Sequence, residues 1–247
     1  MSSNEWVFGI HAINALLKHR PEVILQIYLQ SGRLDERISG ITDRANSLGI
    51  SVEVMDKKDF DKKADGTHQG ALAFCKEIKL EYNEAYLKKL LDNLKCPPFL
   101  LILDGVTDPH NLGACLRSAE AAGVDAVIVA KDKSVLINAT VRKVASGAAE
   151  IIPFIVVTNL VRSLQTLQKR GVWIMGAAGE ADKSIYNTDL KGPLALVLGS
   201  EGSGLRRLTR ETCDQLLSIP MKGETSSLNV SVSAGVFLFE ALRQRIR

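Results

Sequence analysis

Three polar clusters in the C-terminal half of the chain hold the residue types that can do chemistry, and each directly follows an apolar run. The first, DGVTDPHNLGACLRSAEAAG at 104–123, carries Asp108, Asn111 and Arg117. Asp108 or Asn111 can serve as the cap of a helix starting near Asn111, and Arg117 can be a solvated helix residue. The second, LALVLGSEGSGL at 194–205, encloses Glu201 among Gly199, Gly202 and Gly204. Glycine turns let backbone amides approach a ligand, but a carboxylate inside the turn repels phosphate and suits a positively charged partner such as arginine. The third, LLSIPMKGETSSLNVSVSAG at 216–235, places Ser227, Asn229, Ser231 and Ser233 where a last helix opens. On local grounds these are caps before they are catalysts.

The elements that must position these clusters read as an α/β chain. From Phe99 onward the runs FLLILDGV, VDAVIVA, FIVV, VWIMGA, LALVLGS and LLSIPM alternate with helix-like segments. Fully apolar strands between helices imply a mostly parallel sheet covered on both faces, and ligands bind such sheets beyond the carboxyl ends of the strands. Thr158 is placed to cap VRSLQTLQKR, and Asn229–Arg247 reads as an amphipathic closing helix. The first 75 residues read as a separate, compact α/β unit, with a helix near His11–His19, an apolar run Val23–Leu29, a helix Asp35–Leu48 and strands at Ser51–Met55 and in GALAFC. The charged stretch 76–95, followed by Pro97-Pro98, reads as a linker, leaving 96–247 as the second domain.

Composition excludes several classes. Hydrophobic residues at 46% and charged residues at 24% describe a globular protein with no apolar window long enough for a bilayer. The N-terminal MSSNEWVFGIHA has no secretory pattern, so a cytoplasmic location is expected. Cys75, Cys96, Cys115 and Cys213 lack zinc or disulfide spacing and read as buried free thiols. His68 reads as a turn or cap residue, and the four histidines form no metal set, so no metal is expected. His110 near Asp108 has no nucleophile-elbow serine for a hydrolytic triad, and neither the dinucleotide fingerprint nor the P-loop is present. Residues 1–75 hold nine Lys/Arg against ten Asp/Glu and residues 76–247 hold twenty-two against eighteen, an excess compatible with a polyanionic partner.

Taken in order, NLGACLRSAEAAG, LVLGSEGSGL and IPMKGETSSLNVSVSAG resemble the three motifs of the SpoU/TrmH branch of SPOUT methyltransferases. The likeness continues through KVASGAAE, TNLVRSLQTLQ and AAGEADKSIY and through the N-terminal FGIHAINALL and HQGALA. Ser233, where alanine is common, is the one departure noted. The resemblance implies a C-terminal domain with a deep trefoil knot, an L30e-like N-terminal domain that binds RNA, and a homodimer. It implies methyl transfer from S-adenosylmethionine to a ribose 2′-hydroxyl, with a guanosine of 23S rRNA near the peptidyl-transferase centre as target. A tRNA-directed relative and a catalytically silent RNA-binding relative are the alternatives. By motif, Asn111, Arg117, Glu201, Ser227 and Asn229 would form the catalytic set, and Gly199, Gly204, Ile219, Pro220 and Leu228 would contact the cofactor. Glu201 and Asn111 would fix Arg117, which would clamp a substrate phosphate, since guanidinium does not lose its proton in proteins. Lys57, Lys58, Lys62 and Lys63 form either an RNA contact or a solvated helix face.

Overall fold

The computed structural model describes residues 4–32, 36–63, 69–78, 80–225 and 227–246, so His68 lies outside the described residues. The chain forms two compact units, 1–80 with 146–151, and 81–145 with 152–247.

The first unit contains a 4-stranded sheet in the order β1-β4-β2-β3, from β1 (Asn4–Phe8), β2 (Ile24–Gln30), β3 (Val52–Met55) and β4 (Ala71–Lys76). β4 runs antiparallel to β1 and β2, while β2 and β3 are parallel. Helices α1 (Ile10–His19) and α2 (Glu36–Ser47) share a core with one sheet face, where Ile13, Leu16, Ile27 and Ile41 are fully buried. The charged stretch around Lys57 is a third helix, α3 (Lys57–Lys63), anchored by the fully buried Phe60. β1 is the one strand of this unit that the sequence reading missed.

The second unit is a 7-stranded sheet in which every pairing is parallel. Its strands are β5 (Glu81–Tyr82), β6 (Phe99–Asp104), β7 (Ala126–Ala130), β8 (Phe154–Val157), β9 (Trp173–Ala177), β10 (Leu194–Gly199) and β11 (Gln215–Leu217), ordered β11-β9-β10-β6-β7-β8-β5. Every residue of β6 and β7 is buried, which is why these runs lack alternation. Helices α4 (Glu84–Asn93) and α8 (Leu160–Gln168) bury Leu87, Leu160, Leu164 and Leu167 in one core with β6 and β10. The stretch expected to be a linker, 76–95, therefore supplies β5 and α4 to this sheet instead of a free connection. The expected cap Thr158 is displaced by its neighbour: Asn159 accepts from Arg162 N at 3.0 Å, while Thr158 Oγ1 bonds Glu84 at 3.2 Å. Asparagine leads threonine as an N-cap, which accounts for the shift.

Three helices carry the polar clusters' supports: α5 (Pro109–Ala121), α6 (Ala139–Ala145) and α10 (Val230–Arg245). α5 starts at Pro109, two residues before the expected Asn111, because Asp108 caps it by accepting from His110 N at 2.9 Å and proline suits the first turn. A short α7 (Ala148–Ile151) groups with the first unit, and α9 (Arg207–Thr212) links β10 to β11. Among the described residues no helix is long and apolar enough to cross a membrane.

The cysteines differ from the expectation in one case. Cys75 and Cys115 are buried and Cys213 partly so, but Cys96 is exposed beside the prolines that start β6. Burial, reinforced by the Glu201 charge, pushes the Cys115 thiol up to about 12, and burial pushes Cys213 up to about 12 with help from Asp214 and Asp104. A thiol reacts as its thiolate. At pH 8, iodoacetamide is expected to modify Cys96 first; alkylation of Cys115 or Cys213 at the same rate, read by peptide mass spectrometry, contradicts this packing.

Candidate functional site

From β6 the chain adds β7 and β8 on one side of the second sheet and then β9, β10 and β11 on the other, with β7 and β10 as the immediate neighbours of β6. The crevice between β6 and β10 is thus the topological switch point, where open parallel sheets bind ligands. The loops leaving these two strands are the first two polar clusters.

The glycine loop after β10 is closed on itself. Ser200 N donates to Gly204 O at 3.2 Å and Gly204 N to Ser200 O at 3.0 Å, while Gly202 and Gly204 take positive φ of 82° and 63°. Position 199 tolerates only glycine, since a Cβ there would lie 2.0 Å from the Gly204 carbonyl carbon. The loop is tied to β6 through Asp104, 1% exposed, whose Oδ2 accepts from Arg206 N at 2.9 Å. Arg206 Nε lies 3.0 Å from the other Asp104 oxygen, a charge contact without hydrogen-bond alignment. Asp104 was seen only as a strand end in the sequence; its burial beside the glycine loop gives it this supporting role.

This closure presents Glu201 to two helices. Asn111 Nδ2, from the first turn of α5, donates to Glu201 Oε1 at 2.9 Å, and Asn229 Nδ2 donates to the same oxygen. Asn229 Nδ2 also donates to Asn111 Oδ1 at 3.0 Å, so the three side chains form a closed set. The amide of Asn229 is oriented by its other end: Oδ1 accepts from Ser231 N at 2.9 Å and from Ser231 Oγ at 2.6 Å, capping α10. One side chain therefore fills both roles that the sequence left as alternatives. Two donors on an ionised oxygen make charge-assisted bonds, about twice as strong as neutral ones.

Arg117 departs from the expected arrangement. It is exposed on α5, and among the described residues it has no hydrogen-bond or ion-pair partner. Six residues from Asn111 along a 3.6-residue helix, it projects from a different side, so Glu201 is held by carboxamides and not by the arginine.

Beside this set lies a cavity of about 760 Å³, within the usual range for small-molecule sites. Its wall includes Gly199, Gly204, Ile219, Leu228, Ser227, Glu201 and Asn229, which joins the second and third clusters at one place; Asn111, Arg117 and Pro220 are not in it, the first cluster reaching it only through the Asn111 hydrogen bonds and Pro220 being exposed. Leu198, Leu217 and Phe237 give it apolar surface. Glu180 and Arg210, not singled out in the sequence, face each other on the wall as an ion pair, and the Arg210 hydrogen bond holds the Glu180 carboxyl below its ordinary value. Only their proximity to the cavity identifies them, since they are thirty residues apart. His110 Nδ1 sits 3.2 Å from Asp108 at an exposed helix end, with no place in the cavity wall. Among the described residues no three His, Cys, Asp or Glu side chains group as a metal site.

If the carboxamide bonds hold Glu201, Asn229→Ser, which retains a good cap but no amide donor, should recover only part of the stability that Asn229→Ala loses in urea unfolding, the cap share being roughly 0.5–2 kcal/mol. A double-mutant cycle of Asn111→Ala with Glu201→Ala should show coupling of about 0.5–3 kcal/mol. Strict additivity would remove the network as a source of stability.

Comparison with known proteins bears on this arrangement. The SpoU rRNA Methylase family matches residues 98–239, and the family described as RNA 2′-O ribose methyltransferase substrate binding matches residues 6–80. A 23S rRNA (guanosine-2′-O-)-methyltransferase RlmB from Pseudomonas aeruginosa is 56% identical over 245 residues, covering 99% of this chain and 98% of that protein. The protein of the same name from Pasteurella multocida is 55% identical over 248 residues, covering 100% of both. Among solved structures, an RNA 2′-O ribose methyltransferase superposes with TM-score 0.77 at 25% identity, covering 99% of this chain and 90% of that one. The SpoU methyltransferase AviRb from Streptomyces viridochromogenes, solved in complex with AdoMet, gives TM-score 0.76 at 22% identity, covering 98% and 91%.

Proposed function

The chain belongs to the SpoU rRNA methylase family, and from that premise we propose that it transfers a methyl group from S-adenosylmethionine to the ribose 2′-hydroxyl of a guanosine in 23S rRNA. What carries the reading is the convergence of three motif segments on one hydrogen-bonded set, Glu201 with Asn111 and Asn229, beside a cavity lined by the second and third segments. Identity of 56% across nearly the whole chain to a protein of that activity supports the substrate. The same reading includes the family's knotted C-terminal domain and a cytoplasmic location.

The cavity residues fit the donor. Its backbone amides around Gly199 and Gly204 and its apolar Ile219 and Leu228 suit a nucleoside, while Glu180 and Glu201 suit a cation and Arg210 a carboxylate. Bound there, S-adenosylmethionine supplies an electrophilic methyl carbon on a sulfonium. The residues then position. Holding the hydroxyl in line removes an encounter entropy worth about 7–11 kcal/mol in well-oriented model reactions. Arg117, exposed and protonated, grips a substrate phosphate, and Glu201 acts through the two asparagines that fix the loop and the α10 terminus. Ser227 stands on the cavity wall beside Asn229, where it orients the entering ribose.

α10 turns Val232, 51% exposed, and Phe239, 48% exposed, to solvent seven residues apart on one helical face. This apolar stripe is the contact through which two copies form the homodimer. Phe239→Asp with Val232→Asp is expected to convert a dimer to a monomer in sedimentation velocity; a monomeric unaltered protein contradicts the assignment.

For the reaction, unmodified large-subunit rRNA and labelled S-adenosylmethionine are incubated with the protein and the product is mapped by mass spectrometry. Label on one guanosine ribose is expected, with Arg117→Ala losing at least about tenfold in rate, the effect of one charged contact. Label on a base overturns the reaction, and label on tRNA alone in a parallel incubation with unmodified tRNA selects the tRNA-directed relative.

A further inference from the structure

The N-terminal sheet has a second face, opposite the one packed on α1 and α2. β1 and β4 pair with Trp6 opposite Phe74, and β2 pairs Gln26 with Phe74 and Tyr28 with Leu72, so these side chains share that face. Val7, Ala73 and Ile27 alternate into the core. The Trp6 and Phe74 ring centroids are 4.9 Å apart and tilted by 44°, and those of Trp6 and Tyr28 are 5.5 Å apart and tilted by 48°. All three rings are only partly buried, whereas Phe60 of α3 and Leu72 are fully buried.

A cation already lies over two of these rings, where an entering base would displace it toward the phosphates. Lys63 Nζ, from the last turn of α3, lies 5.4 Å from the Trp6 centroid and 5.3 Å from that of Tyr28. Lys57, Lys58 and Lys62 lie on the same helix, with Lys62 bonded to Asp59 at 2.7 Å. On the sheet, the Tyr28 hydroxyl donates to Gln26 Oε1 at 2.9 Å, and Gln26 Nε2 donates to Glu53 Oε2 at 2.9 Å, a polar row beside the rings. Partly exposed rings on a sheet, met by a lysine, match the chemistry of single-stranded RNA, whose bases stack on rings while its phosphates meet cations. A helix face of lysines alone would not separate RNA from solvent; the rings do.

We infer that Trp6, Tyr28 and Phe74 form a stacking platform for an unpaired nucleobase of the RNA substrate, with Lys63 and its helix meeting the flanking phosphates. The inference rests on the RNA-directed reading above and adds, within the first unit, a surface that engages RNA in addition to the methyl-transfer cavity of the second. It also gives the nearly neutral N-terminal region a means of binding that depends little on net charge.

The sequence contains two tryptophans, and Trp173 is 57% exposed, so Trp173→Phe leaves Trp6 as the sole indole emitter. Titrating this full-length variant with a single-stranded oligoadenylate should quench Trp6 emission saturably, and a duplex of equal length should not. Lys63→Ala should weaken the single-strand affinity severalfold, and Trp6→Leu by roughly 5- to 100-fold, the range for one stacked base. Binding seen by anisotropy of labelled oligoadenylate without any change in Trp6 emission overturns the platform, as does equal quenching by the duplex. Methyl transfer to rRNA is measured on the same variant. If it persists while emission is silent, the platform alone fails; if rRNA is never methylated, the reading beneath it fails too.

Discussion

Glu201 accepts both side-chain amides of the site on one oxygen, and the arrangement of the second unit follows from bringing those amides to it. Asn111, inside α5, and Asn229, the cap of α10, stand 118 residues apart in the chain, and they meet because β6 and β10 lie side by side. The interaction is short-ranged and directional, so small errors in loop closure would break it. Glycine at 199 allows the loop to cross its own return path, and Asp104 holds the return from below. Each support is local, yet all serve one carboxylate.

The division between what the sequence displayed and what it withheld follows from range. Strands β6, β7 and β10 were readable because burial on both faces leaves an uninterrupted apolar run, and the glycine loop was readable because glycine, serine and glutamate crowd one turn. β1 and β5 escaped notice because five and two residues carry too little pattern, and their strand character comes from the neighbours they pair with. The partners of Glu201 were the harder matter. An arginine seemed the natural counter-charge, but six residues of helix turn Arg117 outward while Asn111 faces in, and Asn111 can do so only because it already lies inside α5 where the helix begins. The cap Asp108 and Pro109 set that start, two residues earlier than the reading placed it.

The two units solve binding in different ways. The second draws several segments to the end of a parallel sheet and encloses a cavity with both carboxylates and an arginine on its wall. The first leaves one face of a small mixed sheet partly open, with rings and lysines on it. A concave cavity selects by shape and suits a small molecule, whereas a partly exposed aromatic face tolerates many sequences. Selection of one nucleotide by such a chain would then come from the combination and not from either surface.

The double duty of Asn229 has a consequence for the order of assembly. Synthesis proceeds from the N-terminus, so Asn111 leaves the ribosome before Glu201, and Asn229 after both. The helix that Asn229 caps also contributes Val230, Ser233 and Phe237 to the cavity wall. A nascent chain can thus complete β6, β7 and β10 while the candidate site is still open on one side. The set around Glu201 is whole only once the last helix forms on its cap and the same asparagine meets the carboxylate.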